Sequence, residues 1–144
     1  MAKHWFDYGY GICINDLEIN SVERIEELLS HAPNYREEIH EHFSEWEITE
    51  PTVDDYEEFD DDLCNGFATL LKKVIYEATG INLDSESDYS SIRYLIYSPR
   101  YPWNMTYEDV SVTKEKLNEI FNKYVSIITD SNIEIGLQAI ENYS

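Results

Sequence analysis

Apolar residues recur along the chain with two different periods, and the changes between them divide it into elements. Residues 5–14 (WFDYGYGICI) are rich in aromatic and β-branched side chains. They predict a strand over 8–14, with Gly9 and Gly11 marking a bulge or a close backbone approach. Asn15-Asp16 turns the chain. Val22, Ile25, Leu28 and Leu29 then repeat at helical spacing behind Asn20 or Ser21 as cap, and His31-Ala32-Pro33 ends that helix. A second helix is expected behind Asn34, with Tyr35, Ile39, Phe43 and Trp46 on its buried face. The third is the longest. Tyr56, Phe59, Leu63, Phe67, Leu70, Val74 and Ala78 form one stripe flanked by Leu71 and Ile75, and Gly80 stands where a helix stops.

Beyond Gly80 the pattern changes. Residues 82–91 read as a polar loop and 92–97 (IRYLIY) as a second strand. Pro99 and Pro102 keep 98–103 out of helix, because each biases the residue before it to an extended conformation. Thr113 can cap a fourth helix bearing Leu117, Ile120, Phe121 and Tyr124. Ile133, Ile135, Leu137 and Ala139 alternate with polar residues or glycine and predict a third strand over 133–140. The order β-α-α-α-β-α-β implies an α+β fold, with a small three-stranded antiparallel sheet packed against about four helices on one face. At 144 residues, a single domain over 1–144 is expected.

Charge changes the picture more than composition does. The chain has 30 acids and 10 bases. Thirteen of the acids fall within residues 37–62, a stretch without Lys or Arg: Glu37, Glu38, Glu41, Glu45, Glu47, Glu50, Asp54, Asp55, Glu57, Glu58, Asp60, Asp61 and Asp62. The other 118 residues hold seventeen acids against ten bases. Glu37, Glu41 and Glu45 repeat at four-residue spacing, which places carboxylates about 6 Å apart along a helix. This acidity argues against direct binding of nucleic acid or an anionic membrane, where phosphate contacts need Lys and Arg. It argues for a basic partner. The partner-binding surface expected from the sequence is Glu37, Glu38, Glu41, Glu45, Asp54, Asp55, Glu57, Glu58, Asp60, Asp61 and Asp62.

Candidate chemistry adds little. His40 and His42 are two residues apart and point to different sides of a helix, so no metal site is expected. Residues 84–90 carry acids at calcium-loop spacing, but Tyr89 and Leu95 stand where that loop needs Gly and a bidentate Glu. No GxSxG, P-loop, GxGxxG or HExxH motif occurs, so neither catalysis nor a cofactor is expected. Cys64, beside Leu63, reads as a core thiol, and the spacing leaves its proximity to Cys13 open. Tyr94, Tyr97, Tyr101, Trp103 and Tyr107 cluster around the proline loop with Arg100, either as packing or as a second contact surface. No apolar run suits a membrane span or export signal, so a cytoplasmic location in a bacterial host is expected.

In small size, acidity and tyrosine-rich α+β composition, the chain resembles the acidic inhibitors of phages and mobile elements that mimic DNA. It is most similar in kind to anti-CRISPR proteins. The resemblance implies a non-catalytic inhibitor of a Cas nuclease that blocks its PAM- or DNA-binding groove. An immunity protein against a basic nuclease toxin is the alternative, since these too are small, acidic and steered electrostatically to their enzyme. Self-association into a homodimer is left open.

Overall fold

The computed structural model describes residues 3–59, 66–98 and 112–143. Among these residues, four antiparallel strands and five α-helices build an α+β fold. Strand β1 (His4–Cys13) passes through a 3-10 turn into three helices, α1 (Val22–Leu29), α2 (Pro33–Glu45) and α3 (Val53–Phe59). Helix α4 (Gly66–Thr79) leads to the hairpin strands β2 (Asp84–Ser87) and β3 (Arg93–Tyr97). Helix α5 (Lys114–Ile128) and strand β4 (Gly136–Tyr143) complete the order.

Two features differ from the expected topology. The apolar stripe read as one long helix belongs to two, α3 and α4, between which residues 60–65 lie outside the described residues. The polar segment 82–91 contains β2, whose DSES sequence lacks apolar alternation because it pairs on one side only, at the edge of the sheet. The sheet order is β2-β3-β1-β4.

Ile12 and its cross-strand partner Leu95 point from the sheet into the core. Helix α5 lies against β1 and α4 against β2 and β3, while α1 packs on α5, and α2 and α3 pack on α4. The acid-bearing helices thus reach the sheet mainly through α4, and much of their surface is left to solvent. Since the helices lean on β1, β2 and β3, Leu137 on edge strand β4 is 71% exposed. The expected apolar alternation of 133–140 is therefore corrected. Ile133 and Ile135 precede the strand and pack at the core margin, while Ile140, on the other face from Leu137, is the buried residue.

On that other face the glycines of β1 admit a close approach. A Cβ on Gly11 would lie 2.0 Å from the Leu95 carbonyl oxygen, and one on Gly9 would lie 2.4 Å from Ile96 Cδ1. The sheet also coils. Tyr89 N–H donates to the Glu141 carbonyl at 3.0 Å, and Asn142 Nδ2 to that of Ser87 at 3.4 Å. The end of β4 thus meets the turn joining β2 to β3, although β3 and β1 stand between β4 and β2 in the sheet.

Caps fix the helices. Ser21 Oγ accepts from Arg24 N–H and Thr113 Oγ1 from Lys116 N–H, while Gly80, at φ +80°, follows the last residue of α4. Asn34 is not the cap of α2. That helix begins at Pro33, and the Glu77 carboxylate from α4 accepts from Asn34 and Tyr35 N–H, both at 3.0 Å. An anion there satisfies orphan donors and suits the helix dipole. No described helix is long and apolar enough to cross a membrane.

Candidate partner interface

Helix α2 buries Tyr35, Ile39 and Phe43, and that stripe dictates where its acids go. Glu37, Glu38, Glu41 and Glu45 are all exposed. The cation at the start of the helix is drawn away from them, because Arg36 Nε lies 3.0 Å from Glu26 Oε2 on α1. On α3, Tyr56 is buried, Asp54 and Glu58 are exposed, and Glu57 is half-buried. None of Glu37, Glu38, Glu41, Glu45, Asp54 and Glu58 forms an ion pair with a described residue. Asp60, Asp61 and Asp62 lie outside the described residues.

Asp55 has a structural task. Its Oδ2 accepts from Thr52 N–H at 2.8 Å, and Thr52 Oγ1 in turn accepts from Asp55 N–H at 3.3 Å. This is the reciprocal capping pattern that starts α3. The signal is present in the sequence as Thr52-x-x-Asp55, within a segment read as a plain turn.

Glu26 ties the three outer helices together. Its Oε1 receives the Tyr56 hydroxyl at 2.5 Å and faces His40 Nε2 at 2.6 Å, while Oε2 faces Arg36. Burial pushes the Glu26 carboxyl up, but hydrogen bonds from Tyr56, His40 and Arg36 together hold it below the ordinary carboxylate range. Sequence reasoning missed this group, because nothing local marks one glutamate of α1 among many. The network borders an open cleft of about 840 Å³ whose walls include Phe43, Ile48 and Pro51.

Trp46 corrects the expected core stripe of the second helix. It is 70% exposed. Helix α2 ends before it, and Glu47 takes a left-handed conformation, φ +56°. Ile48 N–H then returns to the Phe43 carbonyl at 2.8 Å and Glu47 N–H to that of Ser44 at 3.2 Å. This is a Schellman termination with glutamate where glycine is usual, and it ends the helix at Trp46, which meets His42 one turn back.

Of the tyrosine-rich segment, Tyr94 and Tyr97 are half-buried on β3, whereas Arg100, Tyr101, Trp103 and Tyr107 lie outside the described residues, as does Cys64. A different aromatic surface emerges on the β1–β4 ribbon, where Phe6, Tyr8 and Tyr143 are exposed and His4 stacks on Tyr143 at 4.5 Å. No cluster of three or more His, Cys, Asp or Glu side chains suited to an ion occurs among the described residues.

Carboxylates gathered without ion pairs among the described residues repel one another, and dissolved salt screens that repulsion over about 10 Å at 0.1 M. Thermal stability is therefore expected to rise between low and moderate NaCl. A midpoint that stays flat or falls would show that the acids are compensated within the fold.

No family model, curated protein or solved structure matches this chain.

Proposed function

We propose that the protein is a non-catalytic acidic inhibitor of the anti-CRISPR type, which occupies the DNA- or PAM-binding groove of a basic Cas nuclease by mimicking nucleic acid. The observation that carries this reading is the outer face of α2: four exposed glutamates without ion pairs among the described residues, beside a cation committed to Glu26. Glu37, Glu38, Glu41 and Glu45 place four carboxylates along about 12 Å of helix axis, about one per 3–4 Å, comparable with about 3.4 Å per phosphate along one DNA strand. Glu58 of α3 lines a recess together with His42 of α2, and Asp54, one turn earlier on α3, is also exposed. A groove built of Lys and Arg would meet similar charge density from either ligand. The same surface would serve an immunity protein against a basic nuclease toxin, and the identity of the enzyme captured from host lysate separates the two.

Charge reversal tests the proposal. Glu41→Lys combined with Glu45→Lys should weaken competition with DNA for the captured nuclease by about a hundredfold, as expected for losing two complementary charges and gaining two repulsive ones. The melting temperature should hold, because both positions are exposed and lie off the Tyr35, Ile39 and Phe43 stripe. Mimicry is wrong if the reversed protein competes as well as wild type, or if the enzyme holds DNA and wild-type protein together.

A further inference from the structure

We infer that the recess between the C-terminal end of α2 and helix α3 is a cation pocket that receives an arginine side chain of a basic protein partner. The inference rests on the reading of the acidic face above and names its anchoring contact. The recess has a volume of about 340 Å³, and its lining includes His42, Phe43, Trp46, Asp55, Glu58 and Phe59. That is the low end of the size range of small-ligand sites, enough for one side chain. The His42 ring centre lies 4.9 Å from that of Phe59 and 6.0 Å from that of Trp46, with the rings tilted at 58° and 44°. Tilted rings present π faces as well as edges to the space beside them, and π faces carry the negative end of the aromatic quadrupole.

Chemistry selects the occupant. Two carboxylates at the walls exclude an anion and make burial of a purely apolar group costly. A cation gains from both the rings and the acids. Among cations, a guanidinium stacks flat on indole while its edge donates to a carboxylate, which a compact ammonium does not do as well. Glu58, exposed and without an ion pair among the described residues, supplies that carboxylate. One oxygen of Asp55 is already used by Thr52. A second copy of this chain is disfavoured as the donor, because two molecules of net charge −20 repel. The 70% exposure of Trp46 fits this role, since Trp and Arg dominate interface hot spots and the ring is little used by the protein's own core.

The test is an NMR titration of the three ¹⁵N-labelled indoles, with the Trp46 signal assigned through Trp46→Phe. The probes are capped Gly-Arg-Gly, Gly-Lys-Gly and Gly-citrulline-Gly peptides. The arginine peptide should shift the Trp46 indole saturably, the lysine peptide should bind about fivefold more weakly, and the uncharged citrulline peptide should leave the signal in place. Glu58→Gln should weaken the arginine peptide about threefold. No saturable shift at Trp46, equal binding of lysine or citrulline, or an unchanged affinity in Glu58→Gln would each overturn the assignment.

Capture of the partner supplies a second readout. Trp46→Leu should reduce it about tenfold or more, without lowering the melting temperature by more than a degree or two. If that variant keeps full capture while the Glu41→Lys, Glu45→Lys protein loses it, the pocket is wrong and the groove reading stands. If arginine fills the pocket and Trp46→Leu loses capture of a partner that binds no nucleic acid, the pocket stands and the groove reading fails.

Discussion

Replacing Gly11 by alanine is expected to destabilise the protein severely. The added Cβ would sit 2.0 Å from the Leu95 carbonyl oxygen and 2.9 Å from Ile96 Cα. Both obstacles are backbone of the neighbouring strand, and Gly11 pairs directly with Ile96, so neither can yield without separating β1 from β3. Ile12 and Leu95, next along the same ladder, are fully buried. Overpacking in an ordinary core costs about 1–3 kcal/mol, relieved by side-chain shifts. Here no side-chain movement helps, and a loss of about 4–5 kcal/mol or more is expected. That is a large part of the roughly 5–15 kcal/mol that stabilises a domain. Gly136 is the control, because a Cβ there would meet nothing within 4 Å and its backbone is not left-handed. Circular dichroism melts of Gly11→Ala and Gly136→Ala should therefore differ widely. Similar melting temperatures would mean that β1 and β3 do not pair at this point.

The second large effect is expected at Glu26. Its carboxylate receives three partners from α2 and α3, and the side chain is only 26% exposed. Glu26→Gln keeps the shape but removes the charge, and it turns an amide donor toward one of those partners. Hydrogen bonds to a charged group are worth about 1.5–3 kcal/mol each, and partial exposure reduces the sum. A loss of about 2–3 kcal/mol at pH 7 is expected. The pH dependence has a definite sign. The folded-state pKa of Glu26 is lowered, so its contribution is present above the ordinary carboxylate pKa and disappears as pH falls through the folded value. The stability gap between wild type and Glu26→Gln should thus be full at pH 7 and narrow steadily below about pH 4.3, the ordinary value for glutamate. Urea denaturation of both proteins across this range measures it. A gap that does not change with pH would show that the charge on Glu26 contributes nothing.

The two effects contrast with the charge-reversed and Trp46 variants, which should fold normally and lose only the partner. Gly11 and Glu26 hold elements together that are distant in the chain. Glu41, Glu45 and Trp46 face outward and can change without disturbing the packing beneath.

What the sequence determined by itself is whatever a single element expresses through its own periodicity. Ile25, Leu28 and Leu29 mark α1, Leu117, Ile120, Phe121 and Tyr124 mark α5, and the cap Thr113 was legible too, while the structure chose Ser21 over Asn20 at the start of α1. The outward placement of Glu37, Glu38, Glu41 and Glu45 followed from Tyr35, Ile39 and Phe43 by helix geometry alone. The tertiary structure decided the rest, because the deciding contacts join residues far apart. Edge strand β2 exists because β3 offers a ladder, not because DSES favours strand. Leu137 is exposed because the helices lean on the other three strands, and Ile140 is buried on the opposite face, where the sheet coils and the end of β4 meets the β2–β3 turn, a choice that alternation cannot encode. The start of α2 is capped by Glu77, 43 residues from Asn34, where local reading offered Asn34 itself. Trp46 stays out of the core because it stands just beyond the last residue of α2, where it meets His42 rather than the buried stripe. Of the candidate interface, the charge was legible; the aromatic pocket beside it was not, since His42, Trp46 and Phe59 meet only when α3 folds back against the end of α2.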